Sequence, residues 1–239
     1  MAEGPEAKLE EVHHALQEEL GAPGLEDFVN LLEAKGDYLR RHGADLGIDA
    51  VERIVPVVFG LRNKDPDFLR PLREGGPVLE GLRQMVEGMR QGDEAAWRAA
   101  LAGLPESLKH KQRRALRNLA AELAHFPQPE AVYLDTAWVS GDERSMGALD
   151  YLYGRTAQGP GEIPQRHAQV RAWLEEQGFY RHLGYVQDVY YAQAYVHYMV
   201  EMTKGLGLLD QQFGQGIESL DYMTRLLGVD AASSRHWLQ

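Results

Sequence analysis

The chain contains no cysteine, and that single absence removes disulfides, thiolate metal ligands and cysteine nucleophiles together. No apolar run approaches the roughly 20 residues needed to span a bilayer. The first residues, MAEGPEAKLEEVHH, are acidic and lack the apolar stretch of a secretory signal. Sustained alternation of apolar and polar residues, the mark of a half-buried strand, occurs nowhere. Positive charge is also short: 25 Lys and Arg stand against 36 Asp and Glu, a formal net charge of −11. Phosphate backbones reward clustered cations, so this balance disfavours nucleic acid as a partner. A Gly-rich phosphate loop, a nucleophile elbow and a His-Glu-x-x-His zinc motif are all missing. The expectation is a soluble, cytoplasmic chain without a membrane partner.

What is present is helix. The 239 residues are 44% hydrophobic with a mean hydropathy of −0.42, enough to bury a proper core. Asp49 precedes AVERIVPVVFGL as an N-cap candidate, and Pro56 inside that run argues for a kinked buried helix over a strand. KDPDFLRPLR and GPVLEGLRQMVEGMRQG place proline near a helix start, and the second closes on glycine. GDEAAWRAALAG opens on the cap candidate Asp93 and ends at Gly103. PESLKHKQRRALRNLAAELAHF reads as a longer helix stopped by Pro127. DERSMGALDYLYGR, with Asp142 as cap and Asp150 unassigned, PQRHAQVRAWLEEQG, LLDQQFGQGIESLDYMTRLLG and a tail ending RHWLQ continue the pattern. The spacing predicts an all-α, single-domain bundle of about a dozen helices. Two stretches interrupt it, 126–131 (FPQPEA) and 156–164 (TAQGPGEIP), and either would serve as an internal boundary.

The segment YRHLGYVQDVYYAQAYVHYMVEM, Tyr180 to Met202, concentrates six tyrosines, two histidines, an aspartate and a glutamate. Wound at about 100° per residue, it puts Tyr185, Tyr191, Tyr195 and Tyr198 on one wide apolar arc. Gln187, Gln193, His197 and Glu201 lie opposite, with Tyr190 among them. Asp188 falls inside the apolar arc, where a carboxylate needs a hydrogen bond, an ion pair or a metal. Gly184, one turn earlier, leaves room for a ligand or another backbone. Gly184, Asp188, Tyr191 and Tyr195 therefore define a candidate ligand-binding set, with a structurally satisfied aspartate as the plainer alternative.

Other groups invite a metal. Glu11-x-x-His14 and Glu122-x-x-His125 match the spacing used in carboxylate-bridged di-iron bundles, although nine histidines supply about one such match by chance. His197 and Glu201 share a helix face as a two-ligand edge or as an ordinary exposed pair. Lys109, Arg113 and Arg117 align at i, i+4, i+8. A solvated face beside acidic neighbours is the simpler reading of that stripe, and an anion or partner contact the other.

HLGYVQDVYYAQAYVHYMVE followed by FGQGIESLDYMTRLL resembles the closing helices of the heme-oxygenase-like superfamily, which includes thiaminase-like and PQQ-synthesis proteins and helical non-heme iron oxidases. LEEVHHALQEEL is similar to the first helix of heme oxygenases, where a histidine ligates heme, with His13 or His14 as the counterpart. In the iron-using branches a spacing like His182 to Asp188 is followed one turn later by a second histidine, a place taken here by Tyr191. Two functions remain in view. One is a non-catalytic helical binding protein recognising a small molecule or a protein partner near residues 180–203. The other, implied by the resemblance and the ferritin-like spacing, is an iron- or heme-dependent oxidase drawing on Glu11, His14, Glu122, His125, Asp188, His197 and Glu201.

Overall fold

The computed structural model describes residues 4–43, 46–58, 70–74, 76–155 and 161–203, together with Leu227. Among them are eleven α-helices, one 3-10 turn and no strand. The all-α expectation is met. Of the expected segments, 64–69, 156–160, the helix over 208–228 and the RHWLQ tail lie outside the described residues, apart from Leu227. No helix among the described residues is long and apolar enough to cross a membrane.

In order, the helices are α1 (Pro5–Glu19), α2 (Gly21–His42), α3 (Ile48–Ile54) running into a 3-10 turn (Val55–Val57), α4 (Arg70–Arg73), α5 (Pro77–Arg90), α6 (Glu94–Ala102), α7 (His110–His125), α8 (Ala137–Ser140), α9 (Ala148–Tyr153), α10 (Glu162–Glu176) and α11 (Leu183–Thr203). The chain divides into two compact units, Met1–Ala34 with Ala137–Gln239, and Lys35–Thr136. Residues 126–131 form turns after α7, inside the second unit.

Several local signals act as their chemistry requires. Asp93 caps α6 by accepting a hydrogen bond from the Ala96 amide at 2.9 Å. Pro77 sits in the first turn of α5, where its missing N–H costs nothing. Pro56 converts the end of α3 into the 3-10 turn. Others act differently. Gly47, not Asp49, is the N-cap of α3. Asp142 caps a turn instead of a helix, accepting from the Arg144 and Ser145 amides at 2.8 Å each. The helix begins only at Ala148, and Asp150 holds its N-terminus by accepting from the Gly147 amide at 3.1 Å.

Within the unit Lys35–Thr136, α5 packs against α6 and α7. Val78, Leu82, Met85, Val86 and Met89 recur at helical spacing and are buried. Gly88 lets α6 approach, since a β-carbon there would stand 2.9 Å from the Trp97 amide nitrogen. Arg113 donates to the carbonyls of Leu101 at 3.1 Å and of Leu104 and Pro105 at 2.8 Å each, closing the C-terminal end of α6. Arg117 pairs with Asp135 at 2.8 Å and lies 5.4 Å from the Trp97 ring centre. Two of the three cations in the 109–117 stripe are thus structural, and Lys109 alone is exposed.

The most demanding feature of this unit is an ion pair between Lys35 on α2 and Glu122 on α7, their side chains 1% and 0% exposed. The Lys35 ammonium also sits 3.9 Å from the centre of the Phe126 ring. Burying two charges is costly, and removing either one strands the other. Lys35→Met or Glu122→Leu should therefore each destabilise by about 3–5 kcal/mol, and the double variant by less than either alone. Denaturant unfolding measures this. A single variant as stable as the parent would contradict the account.

Candidate functional site

In the unit formed by Met1–Ala34 and Ala137–Gln239, α11 lies against α1, α8, α9 and α10. Every residue from Leu183 to Tyr191 is buried. This corrects the amphipathic reading of the helix: Gln187, Gln193 and Tyr190, expected on a solvated face, are 2%, 8% and 1% exposed. A helix enclosed on all sides has no polar face to present, so its polar groups must find partners inside.

They do so at two consecutive tyrosines that reach opposite neighbours. The Tyr190 hydroxyl lies 2.6 Å from His13 Nδ1 on α1, and the Tyr191 hydroxyl lies 2.7 Å from His167 Nδ1 on α10. Gln187 Nε2 donates to the Tyr191 hydroxyl at 2.6 Å and to the His167 carbonyl at 2.7 Å. Arg171 Nε donates to Gln187 Oε1 at 3.1 Å, which fixes the orientation of that amide. The Tyr191 hydroxyl thus accepts from Gln187 while lying within hydrogen-bond distance of His167 Nδ1. His13, Trp173, Phe179 and Tyr190 gather with ring centres 6.0–6.4 Å apart.

The protonation states follow from burial. Desolvation pushes the Tyr190 and Tyr191 phenols well above their usual value, with the Asp188 carboxylate adding to the rise at Tyr191. Tyr153 is pushed up to about 12, again mainly by desolvation. Burial, and secondarily the charge of His14, lowers His13 below 6.5. At neutral pH the phenols stay neutral, which suits holding helices together.

The four residues of the expected ligand set share one helix but not one environment. Gly184, Asp188 and Tyr191 are buried, and Asp188 is 4% exposed. The Tyr191 hydroxyl is held by His167 and Gln187. Tyr195 alone reaches solvent, half-buried, its ring centre 6.1 Å from that of Trp138 and 5.9 Å from that of Tyr198.

The metal candidates are dispersed. Glu122 belongs to Lys35, and His125 Nδ1 lies 2.5 Å from the Val132 carbonyl. His14 and Glu201 are exposed. Glu11 and His197 do meet, Oε1 to Nδ1 at 3.6 Å across α1 and α11, with the Tyr151 hydroxyl 3.5 Å from Glu11 Oε2. Among the described residues no three His, Asp or Glu side chains converge to hold a metal. Asp188 is held in the interior of α11, and His13, a counterpart of the heme-ligating histidine, has its Nδ1 2.6 Å from the Tyr190 hydroxyl.

Beyond Tyr191 the character of α11 changes. Tyr195, Val196, His197, Tyr198 and Met199 are half-buried and Val200 is 37% exposed. Gln193 reaches Glu19 at 3.3 Å and His197 at 3.4 Å. The result is an open aromatic and apolar seam with a Glu11–His197 pair on its flank. No protein-family model matches the chain, no curated protein matches it in sequence, and no solved structure matches it in fold.

Two pH responses follow. The raised phenols favour the fold below pH 10 and lose that contribution as pH rises beyond it. Tyrosinate absorbance from Tyr190 and Tyr191 should therefore appear only together with loss of helical circular dichroism. A complete titration of all eleven tyrosines with helicity intact would contradict this. The lowered His13 favours the fold fully above pH 6.5 and less as pH falls below it. His13→Gln should flatten the loss of stability between about pH 6.5 and 5, and an unchanged slope would contradict the assignment.

Proposed function

We propose that this chain is a non-catalytic helical binding protein that recognises a partner along the second half of α11, at Tyr195, Tyr198 and Val200. One observation carries the reading: α11 keeps its aromatic and apolar composition after it leaves the core, with Val200 37% exposed and Tyr198 half-buried. Exposed aromatic side chains anchor interfaces well, because they bury a large area at low conformational cost. Tyr195 to Met199 are half-buried and Val200 reaches solvent, which favours a protein partner over an enclosed small molecule. The Glu11–His197 pair on its flank supplies a polar rim. The buried tyrosines and Asp188 support this surface from beneath and do not contact the ligand.

Photo-crosslinking tests the reading. A benzophenone side chain at position 198 or 200 should give one discrete adduct, lost when Tyr195→Ser is added, whereas the same group at exposed position 98 should give none. No adduct at 198 or 200, or the same adduct from all three positions, would overturn it. Metal analysis separates this reading from the oxidase alternative: near-stoichiometric iron that disappears in His197→Ala would displace the binding reading.

A further inference from the structure

A second site lies in the unit Lys35–Thr136. An open groove of about 270 Å³ runs between the end of α4, the start of α5, the connection before α7 and the first turn of α7. Its walls are Pro71, Pro77 and Pro105, and its floor is Val78 and Leu108, 6% and 7% exposed. Proline has no N–H, so these walls offer methylene surface and no donor. The polar lining is Glu74, Ser107 and Gln112.

Glu74 is the one charged residue of that lining, it is exposed, and its carboxylate forms no ion pair among the described residues. Two neighbouring cations are engaged elsewhere: Arg73 pairs with Glu52 at 2.7 Å, and Arg113 is spent on the carbonyls that end α6. Gln112 Oε1 accepts from the Lys109 amide at 2.8 Å, which leaves its Nε2 as a donor. The groove thus combines a methylene-lined trough, one unpaired carboxylate and two donors, the Gln112 amide and the Ser107 hydroxyl.

We infer that this groove docks a basic side chain of an extended partner peptide. The aliphatic stem would lie along the prolines, the cationic head would meet Glu74, and the peptide carbonyls would accept from Gln112 and Ser107. A long basic side chain pairs apolar stem with charged head, as this lining does. The two donors distinguish a peptide from a free polyamine, which has no carbonyl to offer them.

The test uses the full chain and the N-acetyl methylamides of lysine, arginine and norleucine, followed by NMR at the Val78 and Leu108 methyls. The lysine or arginine compound should shift both methyls and bind more tightly than norleucine, by up to about fivefold, the upper end for one exposed ion pair. Glu74→Gln, a surface change, should remove that advantage, while Arg73→Gln should keep it. Equal binding of the three compounds, no shift at either methyl, or an advantage that survives Glu74→Gln would overturn the inference. Tighter binding of spermidine than of the lysine compound would reassign the groove to a free polyamine and overturn it as well.

Discussion

A phenol hydroxyl sealed away from water has to find a hydrogen-bond partner, and two of them on adjacent residues of one helix cannot share it. Successive side chains on a helix point about 100° apart, so Tyr190 and Tyr191 reach different neighbours. His13 meets the first from α1 and His167 meets the second from α10. An unsatisfied buried hydroxyl would cost about 1–3 kcal/mol. The two bonds therefore do more than add stability: they select the rotation of α11 and the helices on either side of it. Gln187 and Arg171 extend the network on the α10 side. The burial of Leu183 to Tyr191 is the outcome.

The other unit meets the same constraint with charge in place of phenol. Lys35 and Glu122 are tolerated in its interior because each is the other's partner, with Phe126 supplying a second attraction for the ammonium. Arg113 and Arg117 are likewise consumed by carbonyls, Asp135 and the Trp97 ring. Basic side chains are the scarcer sign in this chain, and several are committed internally. The surface that remains is acidic, and the unpaired Glu74 beside an aliphatic groove belongs to that pattern.

Helix content was legible in the sequence because its signals are local. Proline at the start of α5, the Asp93 cap and the closing Gly103 needed no tertiary context. The 22-residue α2 gave no clean start, since Gly21, Pro23 and Gly24 crowd its first turn. What the sequence concealed is which polar residues are buried. A wheel drawn on hydropathy places Gln187, Gln193 and Tyr190 toward solvent, because it cannot know that helices pack on every side. The same wheel turns Asp188 inward, and it is indeed 4% exposed. In an enclosed helix it is one buried polar group among several. The partners His13 and His167 lie far along the chain, and no spacing rule links them to 190 and 191. The paired tyrosines were the usable clue, since consecutive buried phenols require two separate acceptors. The Glu-x-x-His spacing likewise describes one helix face and says nothing of which charges that face meets, as the Lys35–Glu122 pair shows.

The helix α11 has two halves of different character, a buried first half that fixes the helices around it and a second half, from Tyr195 on, that is half-buried to exposed. Native-state hydrogen exchange resolved along α11 tests that division directly. It predicts that amides from Gln187 to Tyr191 exchange only through opening of the whole unit, with free energies equal to its global stability, and that amides after Tyr195 exchange through smaller local openings. Uniform protection along the helix, or faster exchange in the Gln187–Tyr191 stretch than beyond it, would contradict the account.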